Sequence, residues 1–238
     1  INLDRFIDGK GGCFPIATTA FQQLDPEYMR LPIAGESDYG ILLKMRSKAR
    51  RLADVSRCST GEMDMTFARA AFTTNPDFPE MLRGAGVGRY EIRENLSQGE
   101  HLFIDENLVS NFEKIVVLKS QERLVMQGIT GVNEHWRLKA TLPQGVYCAN
   151  STNYITGLGT MRFLLGLFNS KLMNVFFAKF STNSNVNGYE VDELPLIPRA
   201  TPAEQTEIEG LVGEVLATKA AGGDTSSLES RIDALVYR

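Results

Sequence analysis

Asn75-Pro76-Asp77-Phe78 is the segment nearest to a reaction motif. It comes close to the Asn-Pro-Pro-Tyr/Phe loop that grips an exocyclic amine for methyl transfer. Asp77 replaces the second proline and no glycine-rich cofactor loop follows a strand upstream, so an Asn-Pro turn is the better reading. Gly84-Ala-Gly-Val-Gly88 has the start of a dinucleotide fingerprint, but Arg89 stands where the third glycine belongs and no long helix follows, which leaves a strand-connecting turn. Metal-dependent phosphodiester hydrolysis needs acidic ligands with a lysine close to the second. Pro76-Asp77 is not followed by Glu-x-Lys, Glu113-Lys114 lacks the spacer, and Asp192-Glu193 reads as a helix-terminal turn. His101 and His135 have no Ser, Cys or carboxylate partner in sequence. Cys13, Cys58 and Cys148 form no Cys-x-x-Cys pair, and with two histidines they fit neither a disulfide framework nor a zinc site. No catalytic constellation emerges.

Binding chemistry is better represented. Lys44, Arg46, Lys48, Arg50 and Arg51 fall within eight residues, either as a solvated helix face or as phosphate contacts that hold a duplex without reading it. Arg83 and Arg89 flank the glycine-rich turn, with Tyr90 next. Bare backbone permits close approach and arginine suits a guanine edge or a phosphate, while strand-edge solvation is the plain alternative. Asn183, Asn185 and Asn187 could bond adenine edges, but most of them fit better as partners of their own loop backbone. Trp136 reads as core rather than a base-stacking platform.

These residues need a scaffold. Residues 1–35 read as an extended connector with one strand in Cys13–Phe21, and Ser37 as the N-cap of a helix through Tyr39, Ile41, Leu42 and Met45. Between Leu52 and Ile155, VSRCSTGEM, GRYEI, HLFI, KIVVLKS, RLVMQGITGV, HWRLKATL and GVYCAN predict short strands. Their spacing predicts an α/β (α+β) fold with a twisted, largely antiparallel sheet or half-barrel and packed helices. Over 160–179 the apolar positions share one helical face. This helix runs into an Asn-rich loop and a Leu-Pro-rich segment, a platform for holding a polar loop still. Thr201-Pro-Ala-Glu204 is a capping box with proline at the first helical position. After the break at Gly222-Gly223, Ser226-Ser-Leu-Glu229 caps a second helix, making a C-terminal antiparallel helical hairpin.

At 238 residues the chain can bury a sizeable core, as one large domain or two small ones. The net charge of −4 argues against wholesale nucleic-acid binding and confines any DNA contact to a local basic patch. Polar residues at 162, 169, 171, 174 and 179 exclude a membrane span from the most apolar window. The cysteine usage and the lack of a secretory signal predict a cytoplasmic setting, and the start at Ile1 predicts a piece of a longer polypeptide.

Leu82-Arg-Gly-Ala-Gly-Val-Gly-Arg-Tyr90, Lys114-Ile-Val-Val-Leu118, Ala149-Asn-Ser151 and Leu165-Gly-Leu-Phe-Asn-Ser-Lys-Leu172 occur in this order, followed by Leu194-Pro-Leu-Ile-Pro198, Glu204-Gln205 and Ile232-Asp-Ala-Leu-Val-Tyr237. Over roughly 36–238 the chain resembles the C-terminal specificity domain of TaqI-like adenine-specific DNA methyltransferases, including fused type II restriction-modification enzymes. More distantly it is similar to target-recognition domains of type I specificity subunits. The resemblance implies a connector over 1–35 from an upstream methyltransferase domain of the same polypeptide, a DNA target-recognition domain over 36–200, and a helical hairpin over 201–238 that serves assembly. It implies recognition of double-stranded DNA without catalysis or cofactor in this chain. The parent would be an S-adenosylmethionine-dependent N6-adenine methyltransferase, with or without an endonuclease domain. Base edges would be read by strand and loop residues around 57–93 and 119–153. The expected DNA-binding residues are Lys44, Lys48, Arg50, Arg51, Arg57, Arg83, Arg89, Tyr90, Lys119, Arg123 and Asn153. Two rivals stand beside this reading: a docking module without its own DNA readout, and magnesium-dependent hydrolysis through Asp77, Asp105 or Asp192.

Overall fold

The computed structural model describes residues 15–48, 50–96, 98–109, 112–157, 160–196 and 200–237, with the side chains of 48 and 112–114 left aside. In chain order come α1 (Thr18–Leu24), α2 (Glu36–Lys48), β1 (Arg50–Arg51), β2 (Cys58–Thr60), β3 (Phe72–Thr73), β4 (Glu80–Leu82), β5 (Leu102–Ile104) and α3 (Phe112–Ser120). There follow β6 (Leu124–Gln127), β7 (Ala140–Thr141), β8 (Tyr147–Cys148), β9 (Thr152–Ile155), α4 (Met161–Phe168), α5 (Lys171–Phe180), α6 (Gly188–Asp192), β10 (Pro195–Leu196), α7 (Pro202–Ala220) and α8 (Ser226–Val236).

The fold is α+β, and its pairing is antiparallel except between β4 and β8. The strands divide into two four-stranded sheets, β2-β9-β6-β7 and β3-β5-β4-β8, plus the two-stranded ribbon β1-β10. A main core joins the inner side of the first sheet, through Leu124, Met126 and Ile155, to Leu164, Phe168, Phe176 and Phe177 of α4 and α5. Ile208, Val212 and Val215 of α7 and Ile232 of α8 complete that core, so the C-terminal helical pair turns its apolar face inward, onto α4. A smaller cluster, Met63, Ala71, Met81, Ile104 and Tyr147, serves the second sheet.

Five expectations are corrected. Phe112–Ser120 is a helix, because its Ile-Val-Val-Leu run supplies one half-buried edge to the small cluster while Val117 faces solvent. GRYEI is no strand. Tyr90 takes a left-handed φ of 62°, which turns its ring into the core and leaves a single bridge between Val87 and Ile92. The helix expected over 160–179 is two helices broken at Asn169-Ser170, where the Ser170 hydroxyl accepts the Met173 N–H at 3.2 Å and opens α5. Thr18–Leu24 is helical where a strand was expected, and the part of that strand over 13–14 lies outside the described residues. α2 opens at Glu36, so Ser37 is inside it. The Asp38 carboxylate accepts the Gly35 N–H at 3.2 Å instead. The C-terminal helices follow the sequence reading closely. Thr201 and Glu204 form the reciprocal capping box, and α8 is preceded by Thr225 at the N-cap, one residue before the expected Ser226.

Candidate nucleic-acid interface

The turn Ala149-Asn150-Ser151-Thr152 links β8 of one sheet to β9 of the other, and three glycines close on it. A Cβ at Gly61 would overlap the Ala149 carbonyl, and one at Gly84 or Gly128 would stand 2.6 or 2.7 Å from the Ser151 carbonyl oxygen. Without those Cβ atoms the backbones bond directly: Gly61 N–H to Thr152 O and Gly128 N–H to Ser151 O, both at 2.9 Å. The Ser151 hydroxyl accepts the Gly84 N–H at 3.0 Å. Arg123 braces the same joint from within. It is 2% exposed, pairs with Glu62 at 2.9 Å and donates to the Val146 carbonyl at 2.8 Å, while Glu62 accepts the Cys148 N–H. The Gly84 turn and the Ala149-Asn-Ser151 segment, far apart in sequence, therefore meet at one point.

A polar rim extends outward from this joint. The Asn150 carboxamide donates to Asp64 at 3.0 Å, which fixes the Asp64–Arg69 loop and its tip, Phe67. On the other side the loop after β6 joins the Asn-rich loop. Thr130 N–H reaches Ser184 O, Val186 N–H reaches Gly128 O, and Ile129 bridges Asn185. Beneath them Arg137, 2% exposed, donates to Thr130 Oγ1 at 2.9 Å, to Ser181 Oγ at 3.2 Å and to the Asn183 carbonyl at 2.7 Å. Asn183 accepts the Asn185 N–H, and Asn187 forms a capping box with Glu190 at the start of α6. Both therefore serve their own loop, and Asn150, Asn183, Ser184 and Asn185 are exposed. Arg137, the strut of this loop, gave no sequence signal beyond its neighbour Trp136.

The expected DNA-binding residues separate into exposed cations and internal struts. Lys44 is exposed on α2, Arg50 is exposed in β1, and Arg57 is 72% exposed with an ion pair to Asp192 at 3.2 Å. Lys48 lies in α2, and its side chain is outside the described residues. Arg51 bonds Glu193 at 3.0 Å and Asp54 at 3.3 Å, and Arg46 is buried between the Leu24 carbonyl and Glu193. Arg83 is half-buried, its guanidinium over Gly99 and donating to the Glu100 carbonyl at 3.2 Å. Arg89 pairs with Glu229 of α8 at 2.7 Å, donates to Asn169 O at 2.7 Å and lies 3.5 Å from the centre of the half-buried Trp136 ring. Lys119 pairs with Glu106 at 2.5 Å. Tyr90 is 2% exposed, and Asn153 is buried, donating to the Val186 carbonyl. Arg123, Tyr90 and Asn153 are enclosed by the fold, so they shape a surface rather than touch a duplex.

Several of the groups considered for chemistry are engaged structurally. Asp192 accepts the Cys58 N–H at 2.8 Å, and Asp105 caps the turn at Asn107. Asp77 is exposed, its own N–H bonded to the Asn75 carboxamide in the Asn-Pro turn. Burial pushes the Cys58 thiol up to about 12, with nearby Asp192 adding to it, and burial likewise pushes Cys148 up to about 12. His101 is held above its ordinary value, first by the Glu94 carbonyl and then by Glu80, each 2.7 Å from a ring nitrogen. Both partners accept, so the doubly protonated ring fits. Among the described residues no three His, Cys, Asp or Glu are grouped to hold a metal, and no helix is long and apolar enough to cross a membrane.

No family model matches the chain, and no curated protein matches it. Among solved structures it is similar to the crystal structure of the HsdS subunit from Thermoanaerobacter tengcongensis, at 12% identity and a TM-score of 0.38 over 92% of this chain. The chain spans about half that protein's length, 48%.

Proposed function

We propose that this chain is the sequence-recognition domain of an adenine-specific DNA methyltransferase or fused type II restriction-modification enzyme, and that it reads duplex DNA without performing chemistry. One observation carries the reading: segments that resemble the TaqI-like specificity domain converge on the Ala149–Thr152 joint, and that joint holds a rim of exposed, short hydrogen-bonding side chains. Recognition of base edges needs such groups fixed in place before contact. Residues 36–200 carry the readout, and 201–238 brace it. Exposed Lys44, Arg50 and Arg57 hold phosphates, which adds affinity without sequence preference. The parent chain binds S-adenosylmethionine in an upstream domain and works in the cytoplasm. Tyr28, Leu31 and Ile33, close in sequence and 50–66% exposed, favour a second reading, a protein-docking module.

Selection from a randomised duplex pool at low and moderate salt tests this. An enriched motif that persists at moderate salt is the expected result. Binding that is lost as salt rises and enriches nothing would be counter-ion release alone and would overturn the reading.

A further inference from the structure

Phe67 is 90% exposed, an unusual position for the ring of a large aromatic residue. Its backbone is nonetheless fixed. Asp64 Oδ1 accepts the N–H groups of Thr66 at 2.8 Å and Phe67 at 3.0 Å, the Asp64 carbonyl accepts the Ala68 N–H, and Asp64 Oδ2 takes the Asn150 carboxamide. The carboxylate is thus occupied by three donors, and the loop is tied to the joint between the sheets. Arg69, two residues on, is exposed, and among the described residues its guanidinium has no hydrogen bond or ion pair, unlike those of Arg46, Arg51, Arg89, Arg123 and Arg137. The arrangement couples a rigid apolar tip to a free guanidinium and to an exposed carboxamide region at Asn150.

Resting on the function proposed above, we infer that Phe67 is a specificity-determining residue whose ring packs on the C5 methyl of a thymine in the major groove, with Arg69 on the adjoining phosphate. The thymine methyl is the apolar group that a base-pair edge offers there, and a phenyl ring is among the side chains that read it. A tip already ordered before contact loses little conformational entropy on binding.

The test uses the whole chain and the motif enriched from the duplex pool. Each thymine of the motif is replaced in turn by uracil, which removes the methyl alone. For the unaltered protein, one replacement is expected to weaken binding about fourfold, the worth of one buried methyl-sized group. Phe67→Ala is expected to lose that sensitivity while keeping the preference at other positions, and Arg69→Ala to weaken all sequences alike and lower the salt slope. If the unaltered protein enriches a motif but no uracil replacement matters, or Phe67→Ala responds to uracil as the parent does, the inference falls and the recognition function stands. If the unaltered protein enriches no motif, the proposed function fails, and the role of Phe67 falls with it.

Discussion

The two four-stranded sheets differ in what lies behind them. The first, β2-β9-β6-β7, is backed by α4 and α5, and its central strands are almost entirely buried, with Leu124, Met126 and Ile155 in the main core. The second, β3-β5-β4-β8, rests on a few side chains around Met81, Ile104 and Tyr147, and its flank carries the exposed Phe67 and Leu108. Stability concentrates in the helix-backed sheet, and exposed display in the other. Their meeting point is held by close backbone contact, one buried ion pair and a small apolar cluster in which Val125 of the first sheet packs with Leu82 and Cys148 of the second. A domain arranged this way can vary its display loops while the platform remains unchanged.

The comparison breaks most severely at Arg123. Replacing it by alanine strands Glu62 in the joint, and equilibrium urea unfolding should show a loss of about 3–5 kcal/mol. Arg123→Met combined with Glu62→Gln should recover much of that, since neither charge is then left alone. At the same joint, Gly61→Ala should destabilise by about 1–3 kcal/mol through overlap with the Ala149 carbonyl. Gly210→Ala, in α7 with open space around it, should instead stabilise by about 0.5–1 kcal/mol. Equal effects of the two in thermal melts would show that the joint is not close-packed.

Arg89→Ala removes bonds that tie the Gly84–Tyr90 turn to α8, and should cost about 1.5–3 kcal/mol in the same unfolding measurement. Unaltered stability would return Arg89 to the role of a surface contact. The smallest effect belongs to the second sheet alone. His101 binds its proton more tightly when folded, so its contribution is full below its ordinary value of 6.5 and is lost as pH rises through the raised value. Melting temperatures from roughly pH 6 to pH 8 should therefore fall more for the parent than for His101→Gln. Parallel curves would remove the assignment.

What was legible in the sequence was local. The Thr201/Glu204 capping box can be read because its partners lie three residues apart, and the structural role of Asn183 and Asn187 follows from side chains bonding their own loop. The α+β class followed from strand spacing. Phe112–Ser120 was misread because four consecutive apolar residues suit a strand or a helix equally, and the choice depends on distant Met63 and Ile104. The basic residues were the hardest. Arg46, Arg89 and Arg123 look in sequence like Lys44 or Arg50, and only acidic or carbonyl partners up to 147 residues away decide which of them face inward. Phe67 was invisible for the converse reason, since a phenylalanine in a mixed segment ordinarily reads as core.

The break between α4 and α5 reaches beyond folding. Asn169 accepts the Ala140 N–H at 3.0 Å and donates to the Ala140 carbonyl at 2.9 Å, while Asn174 accepts from Arg137 and Leu138 and donates to the His135 carbonyl. β7 is the last strand of its sheet, and a row of free backbone groups at such an edge is a template for another molecule's strand. Asn169 fills both outward bonding positions of Ala140 from within the same chain, and Asn174 holds residues 135–138 that lead into the strand. With those groups of Ala140 already occupied, this edge offers little template to another molecule's strand, a seal against edge-to-edge polymerisation.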